Sequence, residues 1–156
     1  MKPRITAAAG LAVAIFATGS LVLLVGGNGK AAVIHTCSAT DRQFLGAAQL
    51  NMAALGTLSE DYLQGEAKAD DVILQTDSAI ASLRNTDPSD PSLSKTRAIL
   101  RAMFMEYGRA IRADKHHHDP GKYVYRAYGL ANFAHDVLSQ AEPALAKRGC
   151  DVSSLL

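Results

Sequence analysis

Apolar positions along this chain follow two different patterns. From residue 5 to residue 25 the run is broken by no charge, whereas beyond residue 40 the apolar side chains recur at steps of three and four. The second spacing is the period of one face of an α-helix. Over residues 40–63 it places Phe44, Ala48, Met52, Leu55, Leu58 and Tyr62 on one stripe, and Gly65 stands where a helix stop belongs. A second helix is predicted over 66–85, with a weaker stripe of Val72, Thr76, Ala79 (or Ile80) and Leu83.

Turn chemistry at Thr86, Asp87, Pro88 and Ser89 separates it from a better-marked third helix. Asp90 is a good N-cap there, and Pro91 suits the first helical position because the N–H it lacks would have no partner. The third stripe is Leu93, Thr96, Leu100, Phe104 (or Met103), Tyr107 and Ile111, with Arg97, Arg101, Arg109 and Arg112 largely off it. It fades at Lys115, His116, His117 and His118. Asp119 and Pro120 repeat the cap, and a fourth helix is expected to about residue 148, with Val124, Ala127, Ala131, Ala134, Leu138, Ala141 and Leu145 facing a core. Pro143 should kink or end its regular part, and Gly149 marks a stop. No alternating strand-length run competes with these helices.

The first pattern has a different meaning. Twenty-one uncharged residues form a helix about 31 Å long, which matches the apolar core of a bilayer. Cleavable signals have shorter apolar regions, roughly 7–15 residues. Residues 5–25 therefore read as an uncleaved signal-anchor, with secretion after cleavage as the alternative. Lys2 and Arg4 place residues 1–4 in the cytoplasm by the positive-inside tendency. The expected order is then a cytoplasmic N-terminus, the anchor, a linker over 26–38, an extracytoplasmic helical domain over 39–150 and a tail over 151–156. Cys37 follows Ile34, His35 and Thr36, which lack the small residues of a lipid-attachment site. Gly10, Ala14 and Thr18 repeat at four-residue spacing and would let two anchors pack closely, though such stripes are frequent in Ala-rich spans.

The chain has two cysteines, one just before the first predicted helix and one just after the fourth. A bond between Cys37 and Cys150 requires Cα atoms within about 7 Å. Antiparallel helices joined by short loops return to their starting end only after an even number of helices. Four satisfy this, whereas three would leave the cysteines about 30 Å apart for 20-residue helices. An oxidising compartment outside the cytoplasm permits the bond, and closing so long a loop stabilises by on the order of 4 kcal/mol. The expected fold is all-α: an antiparallel four-helix bundle closed by one disulfide and preceded by a transmembrane helix.

Composition bounds the function. The 156 residues suit one domain, aromatic residues make up 6%, and there is no Trp. A net charge of +1 gives no reason to expect nucleic acid as a partner. The charge is unevenly placed: residues 37–94 hold three basic and nine acidic side chains, net −6, and residues 95–148 hold ten basic and five acidic, net +5. Either the two halves pack together and partly cancel, or a basic face meets anionic lipid or an acidic partner.

Familiar catalytic patterns are missing. No C-x-x-C-H attaches a haem. Of the four glutamates, Glu60, Glu66, Glu106 and Glu142, none has a histidine three residues on, as a di-iron bundle needs. H-E-x-x-H, G-x-S-x-G, the phosphate-binding loop and G-x-G-x-x-G do not occur. The chain thus reads as non-enzymatic, and the leading expectation is a membrane-tethered extracytoplasmic interaction domain with a protein partner. The alternative is a small-ligand or transition-metal module centred on Asp114, His116, His117 and His118. Imidazole suits Zn²⁺, Ni²⁺ or Cu²⁺, with micromolar affinity at best and weakening in acid. Asp114 and His118 would share a helix face if the third helix persisted that far. Consecutive histidines on a helix diverge by about 100°, so the segment must unwind for them to converge. His135 joins only if the fourth helix folds back suitably, and His35 lies at the other end. Tyr107, Tyr123, Tyr125 and Tyr128 are expected either to pack their rings at a core edge or to line a groove near this turn.

Overall fold

The structure is a computed structural model, and it describes residues 36–156. The expected anchor at 5–25, the first part of the linker and His35 lie outside the described residues. Among the described residues, no helix is long and apolar enough to cross a membrane.

Four helices follow one another: α1 (Ala39–Gln64), α2 (Ala69–Arg84), α3 (Pro91–Lys115) and α4 (Gly121–Lys147). Their ends are chemically marked. Ser38 caps α1 by accepting from the Asp41 N–H, and Gly65 ends it at φ 81°, a left-handed conformation that costs glycine little. Asp90 caps α3, accepting from the N–H groups of Ser92 and Leu93, with Pro91 in the first turn. At α4 the cap differs from expectation. Pro120 itself occupies the N-cap position and has no side-chain hydrogen bond to give, so Asp119, one residue earlier, accepts from the Gly121 N–H at 2.8 Å. Pro143 does not end α4, which continues to Lys147.

The helices run alternately up and down. The start of α1 meets the start of α3, where the Asp41 carboxylate accepts from the N–H groups of Ser89 and Asp90, and their ends meet where the Tyr62 hydroxyl donates to Asp114. Lys115, at the end of α3, pairs with Asp70 at the start of α2. Arg148, following α4, pairs with Asp90 at the start of α3. α3 is the central element and packs against each of the other three helices, whereas α1 and α4 have no Cα atoms within 8 Å of each other. First and last helices are joined at one end instead. There the Cys37 and Cys150 sulfurs lie at bonding distance, 2.06 Å, with their Cα atoms 5.0 Å apart. The last residues, expected as a tail, cover this end: Val152 is buried, and the 3₁₀ turn Ser153–Leu155 touches both α1 and α4.

The core follows the predicted stripes closely in α2 and α3. Val72, Thr76, Ala79 and Leu83 are buried, as are Leu93, Thr96, Leu100, Met103, Phe104 and Ile111. α2 and α3 pack tightly at Gly108, where an added Cβ would stand 2.9 Å from the Thr76 Oγ1. Two buried polar residues of α1 fall outside the apolar pattern. Asn51 donates to the Ala47 carbonyl and to Ser82 on α2, while Asp41 takes the hydrogen bonds described above. α4 differs more. Ala127, Ala134, Leu138 and Leu145 are buried, but Val124, placed on the same stripe by sequence, is 47% exposed. A helix with one neighbour buries a narrower strip than a helix with two or three.

Candidate functional site

The turn between α3 and α4 forms an open groove of about 430 Å³. Local backbone chemistry shapes it. The His116 N–H closes the last turn of α3 onto the Arg112 and Ala113 carbonyls. His117 then adopts φ 57° and donates its N–H to the Asp114 carbonyl, and the His118 N–H reaches back to the Ala113 carbonyl. These paired bonds are the Schellman ending of a helix, in which the left-handed position ordinarily falls to glycine. Here a histidine fills it. His117 is therefore the helix terminator, and its two neighbours flank a sharp change of direction.

The expected ligand set is divided by this geometry. His116 and His118 both line the groove, whereas His117 and Asp114 do not. Asp114 belongs to the last turn of α3 and accepts the hydroxyl proton of Tyr62 from α1. Burial, and then that hydrogen bond, pushes the Tyr62 phenol up to about 12. α3 ends at Lys115, so Asp114 and His118 do not share a helix face. His135 stands on the exposed surface of α4, 3.7 Å from Asp136, away from the groove lining. Among the described residues, one trio of metal-donor side chains lies within 4.8 Å of one another, Cys37, Asp41 and Cys150, and both of its sulfurs belong to the bonded pair.

Sequence reasoning missed the groove's other lining: Arg109, Arg112 and Lys122. A signal was present. Arg109 and Arg112 on α3 and His116 at its cap stand at steps of three and four, and Lys122 lies in the first turn of α4. Arg112 Nη2 donates to both carboxylate oxygens of Asp77 at 2.9 and 2.8 Å, and Arg109 pairs with Glu106. Lys122 forms no ion pair among the described residues and sits 4.7 Å from the centre of the Tyr123 ring. Asp119 is the one carboxylate in the lining, and it caps Gly121.

The charge asymmetry of the two halves resolves largely into pairing. Arg97 with Asp87, Arg112 with Asp77, Lys115 with Asp70 and Arg148 with Asp90 each join a base from residues 95–148 to an acid from residues 37–94. The exposed ones contribute at most about 1 kcal/mol each, so their main effect is to neutralise the field between α2 and α3.

The tyrosines separate as well. Tyr107 is half-buried against the core, where burial pushes its phenol up with the Ser59 hydroxyl opposing. Tyr123 lines the groove. Tyr125 and Tyr128 are 79% and 57% exposed. With Val124 they form an apolar and aromatic surface over the first turns of α4. Phe133, further along the helix, is covered on one side by the Lys95 ammonium at 4.9 Å. Compared with known proteins, the chain matches no family model, no curated protein and no solved structure.

Proposed function

We propose that this chain is a non-enzymatic interaction domain, tethered outside the cytoplasm by residues 5–25, and that the first turns of α4 are its contact surface for an acidic protein partner. The observation that carries this reading is the exposure of Tyr125, Tyr128 and Val124 on a helix whose only helical neighbour among the described residues is α3. Tyrosines supply large contact areas at little entropic cost and are enriched among residues that dominate binding energy. Lys122 and Arg126 flank them, and residues 121–133 contain no acidic side chain, so the complementary surface is acidic.

The tether rests on the uncharged run preceded by Lys2 and Arg4. The buried cysteine pair suits an oxidising compartment. A second reading, a Zn²⁺, Ni²⁺ or Cu²⁺ module, is favoured by one observation, that His116 and His118 share a groove.

The test uses intact cells expressing the full chain with a photo-crosslinking residue at position 125, 128 or, as an exposed apolar control on α2, position 74. The expected result is a discrete protein adduct from 125 and 128 but not from 74, removed by protease added outside the cells and lost when Arg126 is changed to Glu. Adducts with lipid alone, equal adducts from position 74, or adducts that resist external protease would overturn the proposal.

A further inference from the structure

At two places on this chain exposed apolar side chains stand beside unpaired charge, and the two charges are opposite in sign. Both places lie at one end of the fold. The Tyr62–Asp114 hydrogen bond holds the end of α1 beside the end of α3, and α4 starts one short turn later. On α1, Ala53, Gly56, Glu60 and Leu63 recur at steps of three and four, so they share a face, and all four are exposed. Leu63 is 80% exposed, and a Cβ added at Gly56 would meet nothing within 4 Å. The small side chains leave a shallow seat beside Leu63, and its rim is acidic. Residues 60–67 hold Glu60, Asp61 and Glu66 and no base. None of the three forms an ion pair among the described residues. Lys68 follows, but Asp70 and Asp71 come directly after it.

The first turns of α4 carry the opposite charge around Val124, Tyr125 and Tyr128. Arg126 lies 4.0 Å from Glu106, which is already held by Arg109, so two guanidinium groups share one carboxylate. Asp119, the carboxylate before α4, accepts from the Gly121 N–H, and Lys122 forms no ion pair among the described residues. The surface thus keeps a positive excess beside two exposed rings.

We propose that the acidic partner of this surface is a second copy of this chain, with Tyr125 and Tyr128 of one copy laid across Gly56 and Leu63 of the other, and with Lys122 and Arg126 facing Glu60 and Glu66. The inference rests on the reading of α4 as the contact surface and names what covers it. Aromatic rings on a face of small residues bury apolar area with no side chain to displace, and the opposite charges fix the register. Because both patches lie at one end of the fold, two copies related by a two-fold axis make the contact twice and close as a dimer, whereas a single contact of unlike patches leaves an open row.

Sedimentation of the full chain in a density-matched neutral detergent, over a range of concentrations, tests this. The expected result is a concentration-dependent species of two chains. Reversing the basic side (Lys122→Glu with Arg126→Glu) or the acidic side (Glu60→Lys with Glu66→Lys) should each weaken the association by about tenfold or more. An equimolar mixture of the two variants should associate again, because each carries the charge that the other now lacks. Neither a folding defect nor pairing of the N-terminal segments, which both variants retain, produces that rescue. A photo-crosslinking residue at position 125 should join the chain to a peptide from the end of α1 of another copy. A single chain at every concentration, association that ignores both reversals, or variants that stay apart when mixed would overturn the inference. Adducts from position 125 with a different protein, and no species of two chains, would overturn it while leaving α4 as the contact surface. Adducts with lipid alone would overturn both readings.

Discussion

At the scale of single residues, the clearest case is His117. Its φ of 57° places a branched-ring side chain where glycine is at ease, and an L-residue pays about 1 kcal/mol for that conformation. His117→Gly should therefore stabilise the domain by about 1 kcal/mol, read as a higher urea midpoint with an unchanged slope, while His117→Ala keeps the cost and gains nothing comparable. A glycine variant no more stable than the alanine one would contradict this account of the turn. The same residue shows why the site was only half legible in sequence. Three consecutive histidines announce metal chemistry, and nothing in their spacing shows that the middle one is the terminator of a helix. Once it is, His116 and His118 are left in a groove with arginines that periodicity had assigned to solvent. Asp114 was lost to the site for a comparable reason: its partner, Tyr62, lies 52 residues away.

At the scale of elements, a polar clasp joins three helix ends beside the bonded cysteines. Asp41 from α1 accepts from the Ser89 N–H at 2.7 Å, the Asp90 N–H at 3.0 Å and the Ser89 hydroxyl at 3.0 Å. Asp90 in turn caps α3 and receives Arg148 from the end of α4. Burial pushes both carboxyls up, yet both are held below their ordinary value of 3.8. For Asp41 the N–H of Asp90 and the hydroxyls of Ser38 and Ser89 outweigh burial, and for Asp90 the Arg148 guanidinium and the N–H groups of Leu93 and Ser92 do so. A carboxyl depressed in the folded state contributes stability that is present above its unfolded value and is lost as pH falls through the folded one. Unfolding free energy should therefore drop as pH falls below about 4. Asp41→Ala leaves two loop N–H groups without their acceptor and should cost about 2–3 kcal/mol near neutral pH, with a shallower loss in acid. Equal acid slopes in the variant and the natural chain would contradict this role. Sequence periodicity found the helices that the clasp joins but not the clasp. Asp41, buried at 2% exposure, looks on the page like an ordinary acidic residue in a first helical turn.

At the scale of the whole molecule, the number and order of the four helices among the described residues were legible because caps, stripes and cysteine placement agreed. Gly65, Asp90 with Pro91, and Gly149 each mark a helix boundary in the structure. Which helices would be neighbours was not legible. The stripe containing Val124 tells that α4 has a buried face, not that α3 is its one helical neighbour among the described residues, and so the exposure of Tyr125 and Tyr128 had no local signal. The arrangement leaves α1 and α4 apart along their lengths and joined at one end. This gives the cysteine pair a larger share in the domain's integrity than in a bundle closed by helix packing. Such a bond is favoured where thiols are not kept reduced. The direct measurement is mass spectrometry of the full chain from its natural cells, alkylated at the moment of lysis and digested without reduction. The account predicts a crosslinked peptide joining Cys37 to Cys150, with neither residue alkylated. Recovery of both cysteines as alkylated free thiols would contradict it.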